Sequence, residues 1–246
     1  MIGVDTVYKT VLYILNKEQR GYLTPEEFNS LAEQVQLEIF EKYFEDLTMN
    51  ERQVEMNDSE YANRSKTIQE KISFFETNET LTGGSPFDLT GLTTKLHRLG
   101  TIEYTKPMSA GFVADPTVLP VMLEEVTQQD YNLIRRSKLT SPSETWPIFT
   151  LKGDKVYTLP NLDEIEVYYV RKPEKPVWSY KVGTLGQYIY DPAGPIGTGQ
   201  DFEISSIDQT EVILRILAYA GVIIRDENMI ATATRMAQSE DIIEQS

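Results

Sequence analysis

Residues 24–47 read TPEEFNSLAEQVQLEIFEKYFEDL, and this stretch makes the N-terminal region helical. Thr24 is an N-cap candidate, Pro25 suits the first helical position, and Glu27 completes a Thr-x-x-Glu capping box. Phe28, Leu31, Val35, Ile39, Phe40, Tyr43 and Leu47 then recur at three- and four-residue intervals, so one face of a long helix is apolar. On the N-terminal side, Val4, Tyr8, Val11, Leu12 and Leu15 keep the same period and predict a helix that stops near Asn16 and Gly21. On the C-terminal side, Asp58 or Ser59 opens a third helix through Tyr61, Ile68, Ile72 and Phe75, whose polar first half leans on the other two.

The period changes after Thr82-Gly83-Gly84-Ser85-Pro86. Thr93 to Lys106 alternates apolar and polar residues, Val118 to Val126 reads as extended, and a short helix is expected around Asp130 to Arg136. Trp146 to Leu151 and Lys155 to Leu159 flank Lys152-Gly153-Asp154 as a hairpin, and Ile165 to Arg171 is a further strand broken by Pro173 and Pro176. Gly183 to Gln200 is rich in Gly and Pro and reads as a loop or arm. Asp208 is a second N-cap candidate with Glu211 in the capping-box position, ahead of Val212, Ile213, Ile216, Leu217 and Ala220, and a final helix is expected from Glu227 to Ile243.

The expected architecture is α+β: N- and C-terminal helices packed as a helical bundle with an inserted, mainly antiparallel β subdomain. The helical domain takes residues 1–80 with 205–246, and the β-rich subdomain takes 81–204 with its arm at 183–200.

The chain has 246 residues, 40% of them hydrophobic with 14 Tyr and 9 Phe, enough to bury a core in one or two domains. Its formal charge of −15 disfavours tight gripping of phosphate backbones, yet suits a wall past which a like-charged polymer slides. The absence of cysteine excludes disulfides, thiolate zinc sites and a cysteine nucleophile. Met1 to Leu15 carries Asp5 and Lys9 within its apolar stretch and does not read as a signal peptide, so the chain is expected to stay in the cytoplasm where it is made. No segment approaches the roughly 18 apolar residues of a membrane-spanning helix, so no membrane is expected.

Few residue groups suggest chemistry. Asn16 to Glu27 partly matches a calcium loop, with Gly21 at position six and Glu27 at position twelve, but Arg20 occupies a ligand position; the alternative is a helix-loop-helix corner. His97 is the only histidine, which leaves no two-histidine metal site, and it lies in an alternating segment where a sheet-face residue needs no further role. Gly194-Pro-Ile-Gly197-Thr-Gly199 lacks the strand and the lysine of a phosphate cradle. Glu26-Glu27, Glu124-Glu125 and Asp163-Glu164-Glu166 are adjacent carboxylates of the kind that arise by chance among 38 acids. Arg135, Arg136 and Lys138 beside Tyr131 form a small basic spot, read as a salt-bridging interface ahead of a nucleic-acid site. No catalytic residue, cofactor or metal is expected, and the chain is read as not an enzyme.

Two regions resemble a family of virion proteins in crAss-like and related phages of Bacteroidetes. One is Val4-Asp-Thr-Val-Tyr-Lys-Thr-Val-Leu-Tyr-Ile-Leu-Asn-Lys-Glu-Gln-Arg-Gly-Tyr-Leu-Thr-Pro-Glu-Glu-Phe28 with Leu37-Glu-Ile-Phe-Glu-Lys-Tyr-Phe44. The other comprises Trp146-Pro-Ile-Phe149, Glu166-Val-Tyr-Tyr-Val-Arg-Lys-Pro173, Pro176-Val-Trp178 and Asp201-Phe-Glu-Ile204, leading into Ile213-Leu-Arg-Ile-Leu-Ala-Tyr-Ala-Gly-Val-Ile-Ile-Arg225. The helix, inserted sheet, helix layout is similar to the tail adaptors beneath the portal of short-tailed phages, a fold-level analogy. The resemblance implies a structural virion protein that forms a ring, commonly twelve-fold, in the head-to-tail connector of neck and tail, assembled in the host cytoplasm. Its implied partners are its own copies, the portal protein and other neck or tail rings, with DNA passing through the channel and no sequence-specific binding. A tail-barrel ring or capsid auxiliary protein is the alternative within the structural class, and a virion-associated hydrolase the alternative outside it.

A ring needs different, complementary surfaces on the two sides of one subunit. Tyr188, Ile189, Tyr190 and Ile196 make the 183–200 arm more apolar than a solvated loop requires, so it packs on a neighbour or against its own sheet. Met229, Ile230, Met236, Ile242 and Ile243 in the last helix dock on the portal or join the intramolecular core.

Overall fold

The computed structural model describes residues 1–17, 22–51, 64–105, 120–137, 139, 141–194, 197–224 and 235–236. The helices are α1 (Val4–Lys17), α2 (Pro25–Glu51), α3 (Arg64–Ser73), α4 (Gln128–Arg136) and α5 (Gln209–Ile224). The strands are β1 (Glu76–Thr82), β2 (Phe87–Asp88), β3 (Leu96–Tyr104), β4 (Val121–Met122), β5 (Glu124–Glu125), β6 (Ile148–Lys152), β7 (Lys155–Leu159), β8 (Glu164–Arg171), β9 (Tyr180–Val182) and β10 (Tyr188–Tyr190). The fold is α+β, with mainly antiparallel sheets. Two compact units divide the chain: Met1–Lys71 with Pro173–Ser246, and Ile72–Lys172.

In the first unit, α2 begins as its sequence requires. The Thr24 amide donates to Glu27 Oε2 at 2.9 Å and the Glu27 amide to Thr24 Oγ1 at 3.4 Å, a reciprocal capping box. Phe28, Val35, Ile39, Phe40 and Tyr43 are buried, and α5 packs against both α1 and α2 through Val212, Ile216, Leu217 and Ala220. The start of α1 is capped from far along the chain: Asp201 Oδ1 accepts the Val4 amide at 2.9 Å, and Ile2 pairs with Phe202 as an antiparallel bridge.

The second unit holds two four-stranded sheets, ordered β1-β8-β3-β4 and β2-β7-β6-β5. All pairings are antiparallel except β5 with β6. The strands cross between sheets at two corners, where β4 runs into β5 through Leu123 alone and β1 leads to β2. Phe87, Ile102, Phe149, Val156, Ile165 and Val167 from both sheets close one core.

Several expectations change. Glu76–Thr82 is a strand, paired along its length with β8, although the helical domain was expected to continue to residue 80. Phe75, expected on α3, lies past its end at Ser73, although it is buried. The unit boundary falls at 72 and 172, so residues 173–204 belong with the helices rather than with the β subdomain. The reason is hydrogen bonding to α2 and to the N-terminus, described below. Within the expected arm, Tyr188–Tyr190 is a strand paired with Tyr180–Val182, and the Gly183 amide donates to the Gln187 carbonyl to close the hairpin. Asp58, Ser59 and Tyr61 lie outside the described residues, as does the expected last helix except for Arg235 and Met236, which are helical.

Candidate functional site

Two surfaces of the first unit combine unusual chemistry with defined geometry. The first is the β9–β10 hairpin and its anchor. Trp178 is 3% exposed and held on all its polar atoms: its amide donates to Asn29 Oδ1 at 2.8 Å, its carbonyl accepts Asn29 Nδ2 at 3.3 Å, and its indole N–H donates to Asp5 Oδ1 at 3.1 Å. Tyr180 and Tyr190, paired across the hairpin, stack on this indole at centroid distances of 5.6 and 5.9 Å. Tyr8 sits 4.2 Å from Trp178 and 4.8 Å from Phe28, so one aromatic run ties α1, α2 and the hairpin base. Burial pushes the Tyr180 and Tyr190 phenols up, with Glu26 adding to the first and Asp201 to the second.

Beyond this base the hairpin is apolar and open. Val182 and Tyr188 form the next cross-strand pair, 62% and 40% exposed, Ile189 is 40% exposed, and Leu185 in the turn is 91% exposed. A rigid base carrying an exposed apolar tip is an arrangement suited to protein contact. Of the arm residues singled out from sequence, Tyr190 belongs to the anchor, Tyr188 and Ile189 to the open part, and Ile196 lies outside the described residues. Met236 is exposed, while Met229, Ile230, Ile242 and Ile243 lie outside the described residues.

The second surface is the seam between α2 and α5. Glu211 accepts from Arg215 Nη2 at 2.6 Å and from Lys42 at 3.3 Å; Arg215 also faces Glu38 at 3.6 Å, and Glu38 accepts the Tyr219 hydroxyl. That bond, followed by burial, raises the Tyr219 phenol. Deeper in, Asp208 accepts the Tyr43 hydroxyl at 2.5 Å and Lys71 Nζ at 2.9 Å. Burial drives the Tyr43 phenol up and Asp208 adds to it. Asp208 and Glu211 therefore serve tertiary contacts in place of the local capping box expected of them. Each carboxylate meets a cation and a fixed helix, which gives the network the character of a brace. A groove of about 520 Å³ runs along its outer side between α2 and Arg215.

Sequence reasoning missed Asn29 and Gln36. Gln36 is 1% exposed; its Nε2 donates to the Glu174 carbonyl at 2.7 Å, and its Oε1 accepts the Glu203 amide at 3.0 Å. Glu203 in turn accepts the Glu174 amide at 2.8 Å. These two α2 amides, seven residues apart, hold the segment after Lys172 against the helix, the physical cause of the shifted unit boundary. Nothing local in the sequence signals them, because their partners lie more than 130 residues away.

The remaining candidates resolve individually. Glu27 uses its carboxylate on the Thr24 amide and hydroxyl, which favours the corner over the calcium loop; Glu18 to Gly21 lie outside the described residues. The amides of Gly194, Gly197 and Gly199 donate to Asp191, Gly194 and Pro192 carbonyls, so they do not form a phosphate cradle. His97 lies in β3, Glu124-Glu125 form β5, Asp163 just precedes β8, and Glu164 and Glu166 lie in its first residues. Among the described residues no group of three His, Asp or Glu could hold a metal, and no helix is long and apolar enough to cross a membrane. Arg135 and Arg136 are exposed at the end of α4, and Lys138 lies outside the described residues.

No protein-family model matches this chain, and no curated protein matches it at a significant level.

Proposed function

We propose that the chain is a structural, non-enzymatic subunit of a bacteriophage virion, a ring-forming adaptor of the head-to-tail connector that extends the portal DNA channel and links it to the tail. The observation that carries this reading is the convergence of most of the family-like strings in one unit. The described residues of Val4 to Phe28, with Leu37 to Phe44, supply α1 and much of α2; Pro176 to Trp178, Asp201 to Ile204 and Ile213 to Ile224 supply the segments that cap, bridge and pack on them. Trp146 to Phe149, which leads into β6, and Glu166 to Arg171, on β8, fall instead in the β unit. The hairpin beside the first group carries exposed apolar side chains of the kind a neighbouring subunit covers. The charge of −15 suits a subunit around a DNA channel, where repulsion keeps the polymer sliding.

The test is to express the full chain alone and with its phage's portal protein, and to measure the mass and image of each species. A cyclic assembly seated on portal rings is the expected outcome. A monomer that ignores the portal overturns the adaptor role and returns the choice to another virion part or, if a cell-wall zymogram clears, to a hydrolase.

A further inference from the structure

The free side of α4 and the outer face of α2 are complementary in charge and in apolar character. Among the described residues, α4 buries only Tyr131; its carbonyl end carries Arg135 and Arg136, both exposed, with Leu133 59% exposed and Leu139, just past the helix, 96% exposed. Neither arginine forms a salt bridge with a described residue. A helix presenting two guanidinium groups that form no ion pair among the described residues, beside two exposed leucines, is a basic, amphipathic plug.

The groove between α2 and α5 has the opposite character. Glu38, Glu41, Glu45 and Asp46 line it together with Leu37 and Met49, which are 36% and 56% exposed. Its two cations, Lys42 and Arg215, face Glu211 and Glu38, which weakens their repulsion of an incoming guanidinium, and four carboxylates against two cations leave the lining net acidic. Along α2 the lining runs from Gln34 to Met49, about 22 Å at 1.5 Å per residue, and α4 with nine residues is about 14 Å long. The groove is long enough to take the helix.

We infer that α4 of one copy docks in the α2–α5 groove of a second copy, with Leu133 and Leu139 against Leu37 and Met49, and Arg135 and Arg136 against Glu41, Glu45 and Asp46. This rests on the reading of the chain as a self-assembling subunit and names the surfaces it uses. The two surfaces differ, so the contact is head-to-tail and leaves one free surface of each kind at the ends of any open chain of copies, as cyclic assembly requires. One short helix covers less area than a stable dimer needs, so a single contact is weak and sensitive to salt.

Sedimentation equilibrium of the full chain across a concentration series at low ionic strength tests it. Wild type is expected to self-associate with a Kd on the order of 100 μM, weakening as salt is added. R135E/R136E and, separately, E41K/E45K should each lose self-association by about tenfold or more, and an equimolar mixture of the two should recover it, because only the mixture contains an opposite-charge contact. Recovery on mixing also demonstrates that both variants are folded. Association of R135E/R136E at wild-type strength, or loss in both variants without recovery on mixing, overturns this contact and leaves the ring reading standing. A wild-type chain monomeric throughout likewise overturns the contact, and the ring reading is then decided by imaging on portal rings.

Discussion

Gln36 satisfies both ends of its buried amide on backbone groups of another segment, Glu174 and Glu203. Gln36→Leu roughly keeps the volume but removes the partner of the Glu174 carbonyl and orphans the buried Glu203 N–H. A loss of about 2–4 kcal/mol in urea unfolding is expected, against a few tenths for the exposed Gln34→Leu. An equal effect at the two positions would remove Gln36 as the tie. The ionisable residues set both pH limits. Hydrogen bonds from the Thr24 hydroxyl and amide hold Glu27 below its ordinary 4.5, and the amide and hydroxyl of Thr93 do the same for Glu79. A depressed carboxylate contributes stability that is present above its unfolded value and lost as pH falls through the folded one. The urea midpoint should therefore drop as pH falls below about 4.5, more shallowly in E27Q. Tyr43 and Tyr8 act at the other limit. Burial, with Asp208 beside the first and Tyr22 beside the second, raises both phenols above the ordinary 10.0. A raised acid contributes stability that is complete below its unfolded value and lost as pH rises above it, so the urea midpoint should fall above about pH 10 and Y43F should flatten that limb. An unchanged alkaline slope in Y43F would show that its proton is not the one released.

At the scale of elements, local chemistry was readable where cause and effect are adjacent. The Thr24 to Glu27 capping box and the 3.6-residue stripe of α2 are such cases, as is the β6–β7 hairpin, where Gly153 adopts a φ of +61° in the turn. Glu76–Thr82 was not readable. Its sequence ETNETLT has one large apolar residue, and it is a strand because β8 offers it a full ladder of antiparallel partners. Asp208 and Glu211 were misread for the converse reason: a correct local pattern was overridden by Tyr43, Lys71 and Lys42, which reach the carboxylates from other parts of the chain, and by Arg215 one turn further along α5. The β3–β8 pair supplies an element-level prediction. A Cβ at Gly100 would stand 2.9 Å from the Tyr168 carbonyl oxygen, where β3 shifts register between Leu99 and Ile102. Gly100→Ala must push the two strands apart, and should destabilise the β unit by about 1–3 kcal/mol as read by amide hydrogen exchange in β3 and β8. Wild-type protection there would mean the strands give way without cost.

For the whole molecule, the division into two units predicts separable folding. The twelve described residues of the β core, from Phe87 to Tyr169, lie within 72–172. The fragment 72–172 should fold alone, with dispersed amide resonances and a cooperative melt, since it carries all of this described core. A collapsed spectrum would mean that the β core depends on the rest of the chain. The candidate interaction surfaces were legible only in part: Tyr188 and Ile189 stand out as excess apolar residues in a Gly-rich stretch, but the Trp178 anchor that positions them does not.

By itself the sequence determined the helices α1, α2 and α5, the β middle and the acidic, cysteine-free character, because periodicity, capping and charge act over a few residues. Only the tertiary structure decided that residues 173–204 join the helices, that Asn29 and Gln36 hold them there, and that Asp208 and Glu211 brace α2 against α5. Those choices rest on buried polar groups finding partners more than 130 residues away, and a satisfied buried hydrogen bond leaves no periodic trace in the chain that makes it.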